Sequence, residues 1–119
     1  MLYYLNNPKT EKIDRRIVEM FKHIVMWNLM EEANGAKKIN NAKEMKKRLM
    51  NLPNLIDEIQ EYEVGINEGQ SAAGMDVVLI SGFKDADDFN TYRKHPEHQK
   101  VVEFIRSVQS EARVVDYTT

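Results

Sequence analysis

The chain has 119 residues, 42% of them hydrophobic, with a net charge of −2 and a pI near 5.9. That length suits one globular domain, and the charge balance offers no general attraction for nucleic acid. The absence of cysteine excludes disulfides, thiol catalysis and thiolate metal sites, and no run approaches the ~20 apolar residues that span a membrane.

Residues 1–20 break the rhythm of the rest. Leu2, Tyr3, Tyr4 and Leu5 form a short apolar knot, and Thr10 is placed to cap a helical turn carrying Ile13 and Ile17. The stretch reads as an appendage to a domain at 21–119, or as a segment that docks on a partner subunit. It lacks the apolar core and cleavage site of a signal peptide, so a cytoplasmic protein is expected. The seven methionines suit gap-filling in a core or interface.

Phe21 to Leu29 reads as the first strand. Phe21, His23, Val25, Trp27 and Leu29 share one face; Lys22, Ile24, Met26 and Asn28 share the other. Both faces are largely apolar, which suits a strand covered on both sides. A turn at Glu31 to Gly35, with Asn34 as cap, leads into a helix over Ala36 to Met50. Its predicted buried stripe is Ile39, Ala42, Met45 and Leu49. The lysines of this helix read as a solvated face, with an anion-binding patch as the alternative.

Leu52-Pro53-Asn54 ends the helix. A second strand lies within Leu55 to Asn67, strongest at Tyr62 to Asn67. The small-residue loop Glu68 to Gly74 is a hairpin connection, or else a lid. Met75 to Phe83 is the third and most hydrophobic strand, with Met75, Val77, Leu79, Ser81 and Phe83 on one side.

Next come two helices meeting at an elbow. Asp85 caps the first, with Asp88 in its acidic first turn, and Ala86, Phe89 and Tyr92 fall on one face. Pro96 cannot continue that helix and is well placed to begin the next. On the second helix His98, Val101, Val102 and Ile105 share a face. The last strand, Ala112 to Tyr117, sets Val114 and Asp116 against Val115 and Tyr117. The order β-α-β-β-α-β, joined by right-handed crossovers, predicts an α+β ferredoxin-like domain: a four-stranded antiparallel sheet with helices on one face. The uncovered apolar face then predicts a homodimer that packs sheet on sheet.

KHIVMWNL near Lys22, VVLISGFKDADDFNTYRKHPEHQKVV from Val77, and VVDY near the end resemble the stress-responsive dimeric α/β barrel (Dabb) family over about residues 20–117. The YxxHPxH element, Tyr92 to His98, is the most specific part. The resemblance implies a ferredoxin-like protomer in a barrel-like dimer, of unsettled function. In one plant branch, the olivetolic acid cyclases, a tyrosine and a histidine close a polyketide ring; these match Tyr92 and His98. The strand histidine and late aspartate of that branch resemble His23 and Asp116. The similar barrel of the quinol monooxygenases implies cofactor-free oxidation of aromatics.

Chemically, His98 on an apolar face suits a general base tuned by burial, with Asp116 orienting its ring. Tyr92 is the candidate donor to a developing oxyanion, and His23 completes the polar edge. Val25, Trp27 and Phe89 are the expected apolar walls of a cavity that takes a small, oxygen-bearing ligand. The plainer reading makes these polar groups satisfied members of the core. His95, Glu97 and His98 are poorly spaced for a metal, and neither a metal nor a cofactor is expected. Ser81 lies in a strand without an activating context. Three readings remain: a dimeric ligand-binding protein, a cofactor-free enzyme, and a purely structural oligomer.

Overall fold

A computed structural model describes residues 19–119, so the expected N-terminal extension falls outside the described residues except for Glu19 and Met20. Strand β1 spans Phe21–Leu29, β2 Glu32–Ala33 and β3 Ala36–Lys37. Helix α1 spans Lys38–Asn51 and is followed by a 3₁₀ turn at Leu52–Asn54. Strands β4 (Glu61–Ile66) and β5 (Val77–Phe83) come next, then α2 (Ala86–Lys94), α3 (Pro96–Val108) and β6 (Gln109–Thr118). The main sheet is antiparallel in the order β4-β5-β1-β6. This is the ferredoxin-like α+β arrangement. Its most apolar strand, β5, lies inside the sheet, where both edges of its backbone are paired.

The side chains of β1 and β5 that point towards the helices are buried: Val25, Trp27 and Leu29 from one, Val77, Leu79, Ser81 and Phe83 from the other. Met45, Leu49 and Leu52 of the α1 layer close over them, with Ile56 and Val64. The opposite face of the sheet keeps Met26 42%, Val115 59% and Tyr117 45% exposed. Lys22 and Glu61 form an ion pair on that side.

The start of α1 departs from the sequence expectation. Glu32–Ala33 and Ala36–Lys37 pair as a tiny hairpin. Asn34 (φ 52) and Gly35 (φ 76) both occupy the left-handed region, as a tight hairpin turn requires. Asn34 therefore turns a hairpin and does not cap the helix. The helix begins two residues later than predicted, and Ile39 points outward, 51% exposed. Asn41 is buried in its stead, and its amide donates to the carbonyls of Ala33 and Ala36. A buried polar side chain thus ties the hairpin to the helix.

At the other end, β6 follows α3 without a linker and is longer than predicted. The C-terminus is held: Thr119 N–H donates to the Met20 carbonyl, and the Met20 amide reaches Thr119 Oγ1, each at 3.0 Å. No helix among the described residues is long and apolar enough to cross a membrane.

Candidate functional site

The elbow forms as its sequence predicts. Asp85 Oδ1 accepts the Asp88 N–H at 2.9 Å and starts α2. His95 is extended (ψ 135°) ahead of Pro96 and serves both helices, ending α2 and capping α3. Its Nδ1 accepts the Glu97 N–H at 3.1 Å. That bond draws the Glu97 amide away from the last turn of α2, so the Arg93 carbonyl there needs another donor. His98 Nδ1 supplies one at 3.0 Å and Gln99 Nε2 a second at 2.6 Å.

This contact settles the form of His98. A carbonyl only accepts, so Nδ1 carries the proton and the other ring nitrogen, Nε2, keeps its lone pair. Burial holds the pKa of His98 below the usual histidine value, and the neighbouring positive charge of Arg93 adds to that effect. The ring is therefore predominantly neutral at neutral pH. It packs on Tyr92, with ring centroids 4.3 Å apart.

His23 lies across from the elbow on β1. Its direct partner on β6 is Asp116, in a register that also opposes Val25 to Val114 and Trp27 to Ala112. Cross-strand partners point to the same face, and the two side chains meet: His23 Nδ1 and Asp116 Oδ1 are 2.5 Å apart. The carboxylate accepts, so His23 too presents Nε2 unprotonated when neutral. This corrects the expected pairing. Asp116 orients His23, and His98 is oriented by the Arg93 carbonyl. The reason is register: β1 and β6 are adjacent strands, whereas His98 stands on a helix above the sheet. Ser81 is a satisfied core hydroxyl that donates to the His23 carbonyl at 2.7 Å.

Tyr92 also differs from expectation. It is wholly buried, and its hydroxyl lies 2.7 Å from that of Tyr62 on β4. Burial pushes the Tyr92 pKa up to about 12, while the bond from Tyr62 pulls it down. Tyr62 is raised much further, first by burial and then by Tyr92 itself. Both phenols stay protonated, and in the bond between them one hydroxyl donates and the other accepts. Tyr62 was missed from the sequence, although it lies on the same side of the sheet as Ser81, its partner on β5. Phe21, Phe83 and Phe89 complete an aromatic cluster around this pair, with Phe21 stacked on Phe89 at 4.9 Å.

Between sheet and elbow lies a cavity of about 370 Å³, lined by His23, Val25, Trp27, Phe89, Tyr92 and His98. All six residues expected to contact a ligand thus border one space. Val102, Ile105, Ala112 and Val114 extend its apolar wall. The sequence reading did not include the polar residues that also border it, Arg93, Gln99, Arg106 and Gln109. The two arginines stand in the last turns of α2 and α3, where a cation is ordinarily read as a partner of the helix dipole. Nothing in that pattern marks them as site residues. Among the described residues no cluster of three His, Asp or Glu is arranged to hold a metal.

A ferredoxin-like protomer with a cavity between its sheet and a two-helix elbow defines a class of small α+β domains. Within that class, the sequence profile of the stress-responsive A/B barrel domain, Dabb, matches residues 21–119. The chain belongs to the Dabb family. Among solved structures it is similar to a dimeric ferredoxin-like protein of unknown function from Bacteroides fragilis, with 29% identity, a TM-score of 0.74, and coverage of 84% of this chain and 96% of that one. It also resembles a hydroxynitrile lyase from Passiflora edulis, at 20% identity and a TM-score of 0.71, covering 87% of this chain and 95% of the lyase. An antibiotic biosynthesis monooxygenase shares the fold at 15% identity and a TM-score of 0.65, covering 82% and 95% of the two chains. The last two likenesses concern the fold alone. No curated protein matches the chain.

Proposed function

We propose that this chain is a small homodimeric cytoplasmic protein that binds a partly apolar, oxygen-bearing small molecule in the cavity between sheet and elbow. One observation carries the reading. Two histidines, His98 and His23, border an otherwise largely apolar space, each with Nδ1 engaged, and the neutral ring of His98 leaves Nε2 as an acceptor. Such a space buries a hydrophobic body and fixes its orientation through one or two hydroxyl groups. A purely structural oligomer has no use for an unfilled volume of about 370 Å³ beside those nitrogens.

The dimer rests on the exposed apolar side chains of the open sheet face, Met26, Val115 and Tyr117, and on the dimeric state of the Bacteroides fragilis relative. Light scattering at micromolar concentration should give twice the monomer mass, and a monomer mass would remove this part of the proposal.

A second reading is favoured by the tautomers. A neutral His98 with Nε2 free is fit to take a proton from a bound substrate, and His23, backed by Asp116, is fit to share or return it. This makes the site competent for cofactor-free acid–base chemistry. The same fold carries a hydroxynitrile lyase and a monooxygenase in other proteins.

A thermal-shift screen of phenols, hydroxyketones and hydroxy acids tests the binding reading, because a ligand of the native state raises its melting temperature. Hits should lose affinity in His98→Ala while the dimer remains intact. Unchanged affinity in that variant would place the hits elsewhere. Turnover of a hit by the native protein, abolished in His98→Ala, would promote the second reading over the first.

A further inference from the structure

The protein carries nineteen acidic residues and a net charge of −2, yet no Asp or Glu borders the cavity. Two arginines do, Arg93 from α2 and Arg106 from α3. The carboxylate beside the space, Asp116, is already engaged by His23. Among the described residues the arginines that form ion pairs are Arg48, with Glu44, and Arg113, with Glu111. Arg93 and Arg106 have no such partner there. The charge of Arg93 is felt inside the site, since it contributes to holding His98 neutral. The local sign of the cavity is thus opposite to that of the molecule.

We propose that the cavity selects small amphipathic organic anions, carboxylates above all, whose apolar body lies against Val25, Trp27 and Val102 while Arg93 and Arg106 take the negative group. This rests on the ligand-binding reading above and adds the charge class of the ligand. Guanidinium groups suit the role, because their planar forks match carboxylate oxygens and they remain charged at any physiological pH. Gln99 and Gln109 border the same space and offer neutral donors beside the arginines. His98 is unsuited to hold the anion, since its neutral ring presents a lone pair at Nε2 that repels a carboxylate. The ligand is therefore oriented with its charge at the arginines and any hydroxyl group at His98.

The chain's single tryptophan, Trp27, borders the cavity and reports occupancy by its own fluorescence. The test uses a matched pair of probes, 4-propylbenzoate and 4-propylbenzamide, which share shape and differ in charge. Titration of the full-length protein should show the benzoate binding about tenfold more tightly than the amide, a preference that shrinks as salt is raised. In Arg93→Gln/Arg106→Gln the preference should fall to about twofold or less, through weaker binding of the benzoate. Equal binding of the two probes by the native protein would overturn the anion assignment and leave the binding reading standing. A preference that survives the double substitution would also overturn it. Binding of neither probe at millimolar concentration would overturn both.

Discussion

The helix-covered side of the sheet has two unlike halves. Over β4 and β5 it is sealed: Met45, Leu52, Ile56 and Val64 meet Val77 with at most 5% of any side chain exposed. Over β1 and β6 the α2–α3 elbow stands above a space bordered by Ala112 and Val114, and Val114 is 53% exposed. The strands are alike in pattern, so alternation of residues does not distinguish the halves. What differs is the volume set against the sheet. Long α1 side chains fill one half. In the other, two small β6 side chains lie opposite Trp27 and Val25, and polar groups replace the filler. The packing is therefore closed in one half and open in the other, where the proposed ligand site lies.

The largest effect separating them comes from the sealed half. Met45→Ala should cost about 2–5 kcal/mol in urea unfolding, because a wholly buried methionine leaves a cavity its neighbours only partly close. A loss below 1 kcal/mol would mean that the core is less tightly packed than described.

The Tyr62–Tyr92 pair sits where the halves meet, and its loss should be of middle size. Tyr62→Phe leaves the buried Tyr92 hydroxyl without its partner, at a cost of about 1–3 kcal/mol. A neutral result would show that another group takes up the hydroxyl, and would bring Tyr92 back as a donor available to a ligand.

A smaller effect should come from His98. Its pKa is lowered by folding, so the unfolded chain binds the proton more readily. Its contribution to stability is full above the ordinary histidine pKa near 6.5 and is lost as pH falls through the lower folded value. Urea unfolding between neutral and mildly acidic pH should show native stability falling more steeply than that of His98→Asn, which keeps a donor for the Arg93 carbonyl. Parallel profiles would indicate that His98 is as well solvated in the native state as in the unfolded one.

The elbow, all four main strands and the one-sided helical layer were legible in the sequence because each rests on local signals: Asp85 as cap, Pro96 as break and start, and alternation along β1 and β5. That His23, Val25, Trp27, Phe89, Tyr92 and His98 face one space was legible for the same reason, since facing directions follow from period. The pairing of Asp116 was not. It depends on the β1–β6 register, which brings together residues 93 positions apart and leaves no local mark. Ile39 was misplaced because the Asn34–Gly35 hairpin delays the helix and turns its first residues outward. Buried Asn41 was overlooked because a polar residue on a buried stripe reads as an interruption until its partners, the Ala33 and Ala36 carbonyls, are known. Tyr62 and the arginines were overlooked because they gain meaning only from what the other layer sets beside them.

The most direct test of the claim that recognition resides in the open half is to fill it. Val114 borders the cavity and is half-exposed, so Val114→Trp can occupy the space without entering the sealed core. The account predicts that this variant folds with near-native stability and loses the thermal shifts produced by every ligand of the native protein. Undiminished shifts in the filled variant would contradict it.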